Sequence, residues 1–240
     1  MHKLKQLSLA VAVGLSVVLG VSAGTGQTAL AAELPPPDCR YDDVLTRYTG
    51  YDESPKTLVD TIYALPRSYM PPPRLTSTAN AGLNDGERVR RFVIADLAAL
   101  ARAAAKAGRP LRVVSGYRNY KQQQYLYERE IRNKGLEAGR LLVARPGHSE
   151  HHLGTAVDFA GTSDPKPAWK YEDWADSPTG AWLKANAWRY GFLMSYPDGY
   201  QGVTCYQYEP WHYRYVGREM AADVRASGLT LREFLWRQYH

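Results

Sequence analysis

Four histidines in the second half of the chain are the residues best suited to chemistry. Three lie in one short segment, PGHSEHHLGTAVD at residues 146–158, and the fourth lies in the segment EPWH at residues 209–212. Histidines and carboxylates from two distant segments are typical ligands of a catalytic zinc, which takes three protein ligands and leaves its fourth position to water. The two segments therefore predict a zinc site.

The spacing within the first segment leaves open which histidine is a ligand. Donor atoms about 2.0–2.2 Å from one metal lie within a few ångströms of each other. Seven residues of extended chain would separate His151 from Asp158 by roughly 23 Å, so the chain must turn between them. Gly154 is where it can turn. His148 and His152 fit the spacing as well as His151, and a surface loop of histidines is the alternative interpretation.

The predicted strand that carries Asp158 has two different faces. Alternation along a strand places Asp158 on the same face as Ala156 and Ala160. The small side chains of the two alanines leave room in front of that face. Val157 and Phe159 then face the core.

The elements that must position these residues alternate irregularly along the chain. Apolar spacing and turn residues predict a helix from Asn84 or Asp85 to Gly108, strand 111–115, helix 119–135, strand 155–160, helix 182–190, strands 192–196 and 203–208, and helix 230–238. Within the proline-rich residues 32–75, a short helix is predicted at 55–65 and an extended arm elsewhere. There is no repeat and no regular strand–helix–strand order, which favours one α+β domain with helices packed on a small antiparallel sheet.

The N-terminus has the features of a secretory signal. Residues 1–31 contain Lys3 and Lys5, an apolar run over 7–23 and the small residues Ala29 and Ala31 of a cleavage site. An uncleaved anchor is the alternative. No other apolar stretch approaches the roughly 20 residues that span a bilayer. We therefore expect a soluble, exported protein without stable membrane insertion, with an arm at 32–75 and the main domain at 76–240.

Charge and cysteine content agree with export. Loss of two lysines with the signal leaves 28 basic and 24 acidic residues, a net charge of +4 that suits an anionic cell-wall surface and is too diffuse to indicate nucleic-acid binding. Cys39 and Cys205 are the only cysteines, and neither belongs to a CxxC pair. In an oxidising compartment they predict one disulfide, with two free thiols as the alternative.

Four ordered motifs resemble those of the zinc D-alanyl-D-alanine carboxypeptidases, the VanY-like members of the LAS peptidase group. Residues 149–158 resemble the SxHxxGxAxD motif, and residues 209–212 resemble ExxH. Residues 115–118, followed by Tyr120 and Gln123, resemble SxYR and its downstream glutamine, and residues 182–192 also fit. The resemblance covers about residues 58–217 and implies the LAS/hedgehog-type α+β fold.

The resemblance also implies an activity and a role for each site residue. It implies a secreted, cell-wall-associated zinc D,D-carboxypeptidase that removes the terminal D-alanine from peptidoglycan stem peptides. The implied zinc ligands are His151, Asp158 and His212; the implied catalytic residues are Glu209 as general base and Arg118 as oxyanion stabiliser; the implied substrate-binding residues are Gln123, Ser149 and Ser115.

Other functions share these features. An L,D-carboxypeptidase or a DD-endopeptidase would keep the same catalytic groups, and a cell-wall-binding module could keep the fold without catalysis. We expect a monomer. Two residues depart from the family pattern: His152 stands where glutamine is common, and Cys205 where a small residue such as glycine is common.

Overall fold

The computed structural model describes residues 35–69 and 74–239. The chain divides into two units, Met1–Glu33 and Leu34–His240, and every described residue belongs to the second unit. The predicted signal segment, residues 1–31, lies outside the described residues. Within the described ranges, no helix is both long enough and apolar enough to cross a membrane.

Short strands and helices alternate along the described chain. In order they are β1 (Val44–Leu45), β2 (Tyr63–Ala64), β3 (Leu75–Ser77), β4 (Arg88–Arg90), α1 (Ile94–Lys106), β5 (Leu111–Ser115), α2 (Tyr120–Lys134), α3 (Leu136–Gly139), β6 (Ala156–Gly161), α4 (Pro178–Asn186), β7 (Phe192–Met194), α5 (Gln201–Thr204), β8 (His212–Tyr215), α6 (Arg218–Ser227) and α7 (Leu231–Tyr239). The α+β prediction is confirmed.

A four-stranded antiparallel sheet, in the order β5-β6-β8-β7, supports the candidate site. Its inner strand β6 is buried along its whole length, and Val157 and Phe159 join the main core with residues of α1. The register pairs Asp158 with Ser115 on one side and with His212 on the other. Directly paired residues are close neighbours across a sheet, so three polar side chains from three strands meet at one place.

The predicted helix beginning at Asn84 or Asp85 is wrong in its start. Residues 88–90 form strand β4, which pairs with β3, and the helix α1 begins only at Ile94. The Asn84 side chain does not cap a helix: its Oδ1 accepts from the Val113 amide at 2.7 Å and its Nδ2 donates to the Val113 carbonyl at 2.8 Å. Val89 is fully buried from strand β4 and does not belong to the apolar face of a helix.

Two helices follow their local signals closely. Helix α2 begins after Asn119, whose side chain forms a reciprocal capping box with Gln122, and it ends before Gly135, as predicted. The predicted helix 182–190 begins earlier, at Pro178 after the capping residue Ser177, and continues as a tighter turn to Tyr190. The predicted strand 111–115, the strand near 155–160 and the C-terminal helix are confirmed.

The predicted strand at 203–208 is wrong. The chain there forms the single helical turn α5, which ends at Cys205 with φ 66°, a left-handed conformation that interrupts any strand. The strand that completes the sheet is β8, and it begins only at His212. Helix α6, which follows β8, was not predicted.

The predicted helix at 55–65 is also wrong. The Asp60 carboxylate accepts hydrogen bonds from the amides of Ile62 and Tyr63 at 2.8 and 2.7 Å, a local turn that competes with helix formation. Tyr63 and Ala64 then pair in parallel with β1. Ile62 and Tyr63 belong to a second buried cluster with Leu235 of α7. This N-terminal segment is therefore part of the folded core.

The predicted disulfide between Cys39 and Cys205 is present, with Cα atoms 5.4 Å apart. It joins the N-terminal segment to the end of α5. Residues 206–209, which follow Cys205 directly, line the candidate site. The bond therefore anchors the chain immediately before a wall of that site.

Candidate metal centre and active site

Three buried side chains, His151, Asp158 and His212, bring their ligand atoms within 4.8 Å of one another. A helical turn over residues 150–153 presents His151, and Ser149 caps it by accepting from the His151 amide. Gly154, in the left-handed conformation at φ 68°, then turns the chain into β6. The turn expected at this glycine is confirmed, and the pairing of β6 with β8 adds His212.

The hydrogen bonds of the two histidines determine which nitrogen faces the centre. His151 Nδ1 donates to the Gly116 carbonyl at 2.7 Å, so its Nε2 faces Asp158 Oδ2 at 3.3 Å. His212 uses Nε2 to contact Glu150 Oε2 at 2.9 Å, so its Nδ1 faces Asp158 Oδ1 at 3.0 Å. Two imidazole nitrogens and one carboxylate form a donor set that fits a divalent metal such as zinc.

The other two histidines of the first segment have structural partners instead. His148 contacts the Asp60 carbonyl through Nδ1 at 2.6 Å and Asp43 Oδ1 through Nε2 at 2.9 Å. His152 donates from Nδ1 to the Arg118 carbonyl at 2.8 Å, and its Nε2 accepts from the Gly147 amide at 3.0 Å. Both rings therefore fix loops around the centre.

The cluster is strongly polarised before any metal binds. Burial alone would raise the pKa of Asp158, but His151, His212 and Arg118 together hold it well below the usual range. Burial lowers the pKa of His151 to about 4, with the Arg118 charge adding to the effect. Burial would also lower the pKa of His212, but hydrogen bonds to Asp158 and Glu150 raise it to about 10. At neutral pH His151 is thus neutral and His212 is a cation.

We expect metal binding to release a proton, because a metal on Nδ1 must replace the proton that the His212 cation carries there. Protonation competes with the metal at every pH below the His212 pKa of about 10, so zinc affinity should rise with pH across the neutral range. Calorimetric titration with zinc in buffers of different ionisation enthalpy measures the released protons. A binding enthalpy that does not depend on the buffer would contradict this protonation state.

Glu209 lies beside the cluster without joining it. Its Oε2 is 3.9 Å from His212 Nδ1, and burial raises the pKa of this carboxyl to about 7. The His212 amide donates to the Glu209 carbonyl at 3.0 Å, which closes a tight bend over Pro210 and Trp211. That bend brings both side chains to one side of the chain.

Arg118 contacts the centre from the β5 side. Its Nη2 lies 2.9 Å from Asp158 Oδ2, and its side chain remains 21% exposed. Its Nε donates to Ser115 Oγ at 2.9 Å. Ser115 therefore orients the guanidinium; it is not among the residues that line the groove, and its substrate-binding role stays a prediction.

A groove of about 400 Å³ joins these groups. Gln123 and Ser149 line it together with the metal cluster, Arg118 and Glu209. Gln123 is almost fully buried, and its Nε2 donates to the Ala144 carbonyl at 2.8 Å. Every predicted site residue except Ser115 thus contributes to one groove.

Three buried residues behind the centre were not predicted from the sequence: Glu150, Ser195 and Arg214. Glu150 lies inside the histidine segment, and its place directly before His151 was the only signal in the sequence. Arg214 lies in the strand sequence His-Tyr-Arg-Tyr, where a fully buried arginine requires a paired charge. Neither signal identifies the partner.

Comparison with known proteins places part of this chain in a family. The profile of the VanY family, described as D-alanyl-D-alanine carboxypeptidase, matches residues 86–218. The putative carboxypeptidase YodJ of Bacillus subtilis is 36% identical over 180 residues, which cover 74% of this chain and 65% of that protein. This chain therefore spans just under two thirds of that relative's length.

Solved structures agree with this placement. The LdcB LD-carboxypeptidase superposes with a TM-score of 0.67 at 30% identity, over 82% of this chain and 98% of that one. A mutant of the vancomycin resistance D,D-pentapeptidase VanY, in complex with Zn(II), gives a TM-score of 0.64 at 32% identity, over 76% and 99%. VanYB in complex with D-alanine-D-alanine gives 0.63 at 32% identity, over 75% and 96%.

Proposed function

Since this chain belongs to the VanY family of D-alanyl-D-alanine carboxypeptidases, we propose that it is a secreted zinc D,D-carboxypeptidase that removes the terminal D-alanine from peptidoglycan stem peptides. One observation carries the proposal. The buried three-donor cluster of His151, Asp158 and His212 shares a groove with a buried carboxylate, Glu209, and a guanidinium, Arg118. The zinc and the D-alanine-D-alanine of the related structures support the same assignment.

The three ligands would hold zinc, which when bound supplies Lewis acidity at the scissile carbonyl. Glu209 would accept a proton from the attacking water and deliver it to the departing amine of D-alanine. Burial, which raises its pKa, helps this carboxyl to hold the proton between the two transfers. Arg118, oriented by Ser115, would stabilise the negative charge that develops on the carbonyl oxygen.

The substrate's terminal carboxylate would lie at the end of the groove near Gln123 and Ser149. Both residues line the same groove as the metal cluster, and their amide and hydroxyl groups can donate hydrogen bonds to a carboxylate. Because a free carboxylate is the feature that distinguishes the end of a peptide from its interior, this assignment predicts exopeptidase activity.

The groove is long enough for a stem peptide. Helix α2 lines it with Gln123, Leu126, Arg129, Glu130 and Lys134. The eleven steps of helix from Gln123 to Lys134 rise about 16 Å, and an extended peptide of about five residues has the same length. The far end carries two cations, Arg129 and Lys134, together with the carboxylate of Glu130.

With a stem pentapeptide we expect release of a single D-alanine and accumulation of tetrapeptide, measured by product masses. A pentapeptide amidated at its C-terminus should be a poor substrate, because it lacks the negative charge that the Gln123 and Ser149 end of the groove would bind. Cleavage of both peptides at similar rates would point instead to a DD-endopeptidase.

An L,D-carboxypeptidase is the second candidate, favoured by the similarity to the LdcB LD-carboxypeptidase. A tetrapeptide with a D-alanine after an L-residue tests it. Release of that D-alanine in preference to the one from the pentapeptide would assign the chain to this specificity.

The proposed export of the protein rests on residues 1–31, which lie outside the described residues. Residues 1–31 would be the signal, and residues 32–75 would be an N-terminal arm whose buried residues pack into the core of the peptidase domain at 76–240. The protein would act as a monomer at the cell wall on stem peptides ending in D-alanine-D-alanine, with no nucleic-acid partner and no stable membrane insertion. The mass of the protein recovered from culture medium would test removal of the signal, and its oligomeric state would test whether it is a monomer.

A further inference from the structure

A buried carboxylate lies behind the metal centre, on the side away from the groove. Glu150 is 5% exposed, and three buried side chains contact it. Its Oε2 accepts from Ser195 Oγ at 2.6 Å and from His212 Nε2 at 2.9 Å, and its Oε1 accepts from Arg214 Nη1 at 2.9 Å. Glu150 is not among the residues that line the groove, so its position suits support of a ligand and not contact with substrate.

Arg214 connects this carboxylate to the N-terminal segment. The arginine is fully buried, and its Nη2 donates to the carbonyls of Ser54 at 2.9 Å and Thr57 at 2.5 Å. These two residues lie well before residues 86–218, the part of the chain that matches the family profile. A continuous set of hydrogen bonds therefore runs from the N-terminal segment through Arg214 and Glu150 to His212.

We propose that Glu150 is a positioning residue that fixes His212 for metal binding through Nδ1, and that residues 54–57 hold Glu150 in place through Arg214. The inference rests on the metal site of the proposed function. An imidazole whose Nε2–H donates to a carboxylate is fixed in both tautomer and ring orientation, and its other nitrogen becomes a stronger ligand.

The two ligand histidines are supported differently. His151 donates its second N–H to the neutral carbonyl of Gly116, whereas His212 donates to the charged carboxylate of Glu150. A carboxylate increases the basicity of an imidazole more than a carbonyl does, because its charge stabilises positive charge on the ring. The His212 side of the centre should therefore depend more on its partner.

Removal of Glu150 alone could unfold the protein, because the charge of Arg214 would remain buried without its partner. The test therefore compares Glu150→Gln with the double variant Glu150→Gln/Arg214→Met, which removes both charges together. Ser195→Ala removes one hydrogen bond to the same carboxylate. Arg214→Lys keeps the charge but cannot reach Glu150 and the two carbonyls at once. The exposed Glu219→Gln is the matched control.

Two readouts do not depend on peptidase activity: zinc affinity from competition with a chelator, and the visible spectrum of the cobalt-substituted protein, which reports ligand geometry. Thermal unfolding of each metal-free variant identifies those that fold. We expect a loss of zinc affinity of about 10–100-fold in the folded Glu150 variants, with an altered cobalt spectrum. Arg214→Lys and Ser195→Ala should show smaller losses, and Glu219→Gln none.

Unchanged zinc affinity and an unchanged cobalt spectrum in the folded double variant would overturn the proposal. Unchanged values in Arg214→Lys would overturn the part that involves residues 54–57. The test of Glu150 can be distinguished from the test of the proposed function. If the variants lose zinc affinity as expected but the wild-type protein has no activity on stem peptides, only the proposed function is overturned. A wild-type protein that binds no zinc would overturn both.

Discussion

We expect Glu209→Gln to lower turnover of the stem pentapeptide by about 10²–10⁴-fold, the usual effect of losing a general acid–base group. The amide has nearly the shape of the carboxyl group but cannot accept the proton. Glu209 is 3.9 Å from His212 Nδ1 and lies outside the three-donor cluster, so the variant should keep its zinc. Turnover and zinc content are measured on the same preparation.

The control for this experiment is Glu219→Gln, which removes an exposed carboxylate on helix α6 outside the groove. It should leave the catalytic rate constant close to that of the wild type. Near-wild-type turnover of Glu209→Gln would show that Glu209 is not the base. Loss of zinc together with activity would show that Glu209 is a ligand.

The second large effect concerns the ligands. His151→Ala and His212→Ala should each lose bound zinc and all measurable peptidase activity, because a site with three protein ligands cannot readily spare one. His152→Ala is a matched control that removes the neighbouring ring, which contacts backbone groups of Arg118 and Gly147. That variant should keep its zinc even if it unfolds at a lower temperature. Full zinc occupancy in the variant lacking both His151 and His212 would contradict the site.

The elements predicted correctly are those with local signals. The capping box of Asn119 and Gln122 sets the start of α2, and Gly154 marks the turn that leads into β6. The hairpin of β3 and β4 was missed because its strands are held by pairing with each other and by Asn84, which bonds the distant Val113. Strand β8 was missed because it is short and depends on β6 and β7 on either side.

The same distinction applies to the site. The residue types indicated a metal centre, but the spacing could not choose among three histidines, and the choice of His151 came from the family resemblance. In the structure, long-range contacts determine which histidine faces the centre. The His148 ring is hydrogen-bonded to the Asp60 carbonyl, whereas the Gly116 carbonyl orients the ring of His151 towards the metal ligands. Glu150 was missed for the same reason, because its importance depends on Arg214, 64 residues further along the chain.

The Cys39–Cys205 disulfide also affects how proteolytic cleavage of this protein would be detected. The exposed connection around Trp169 and Lys170 lies between the two bonded cysteines, with His151 before it and His212 after it. One proteolytic cut there would separate the two parts of the metal centre in sequence while leaving both fragments in a single covalent molecule. Such a nicked protein would run as intact on a non-reducing gel, and only reduction would reveal it.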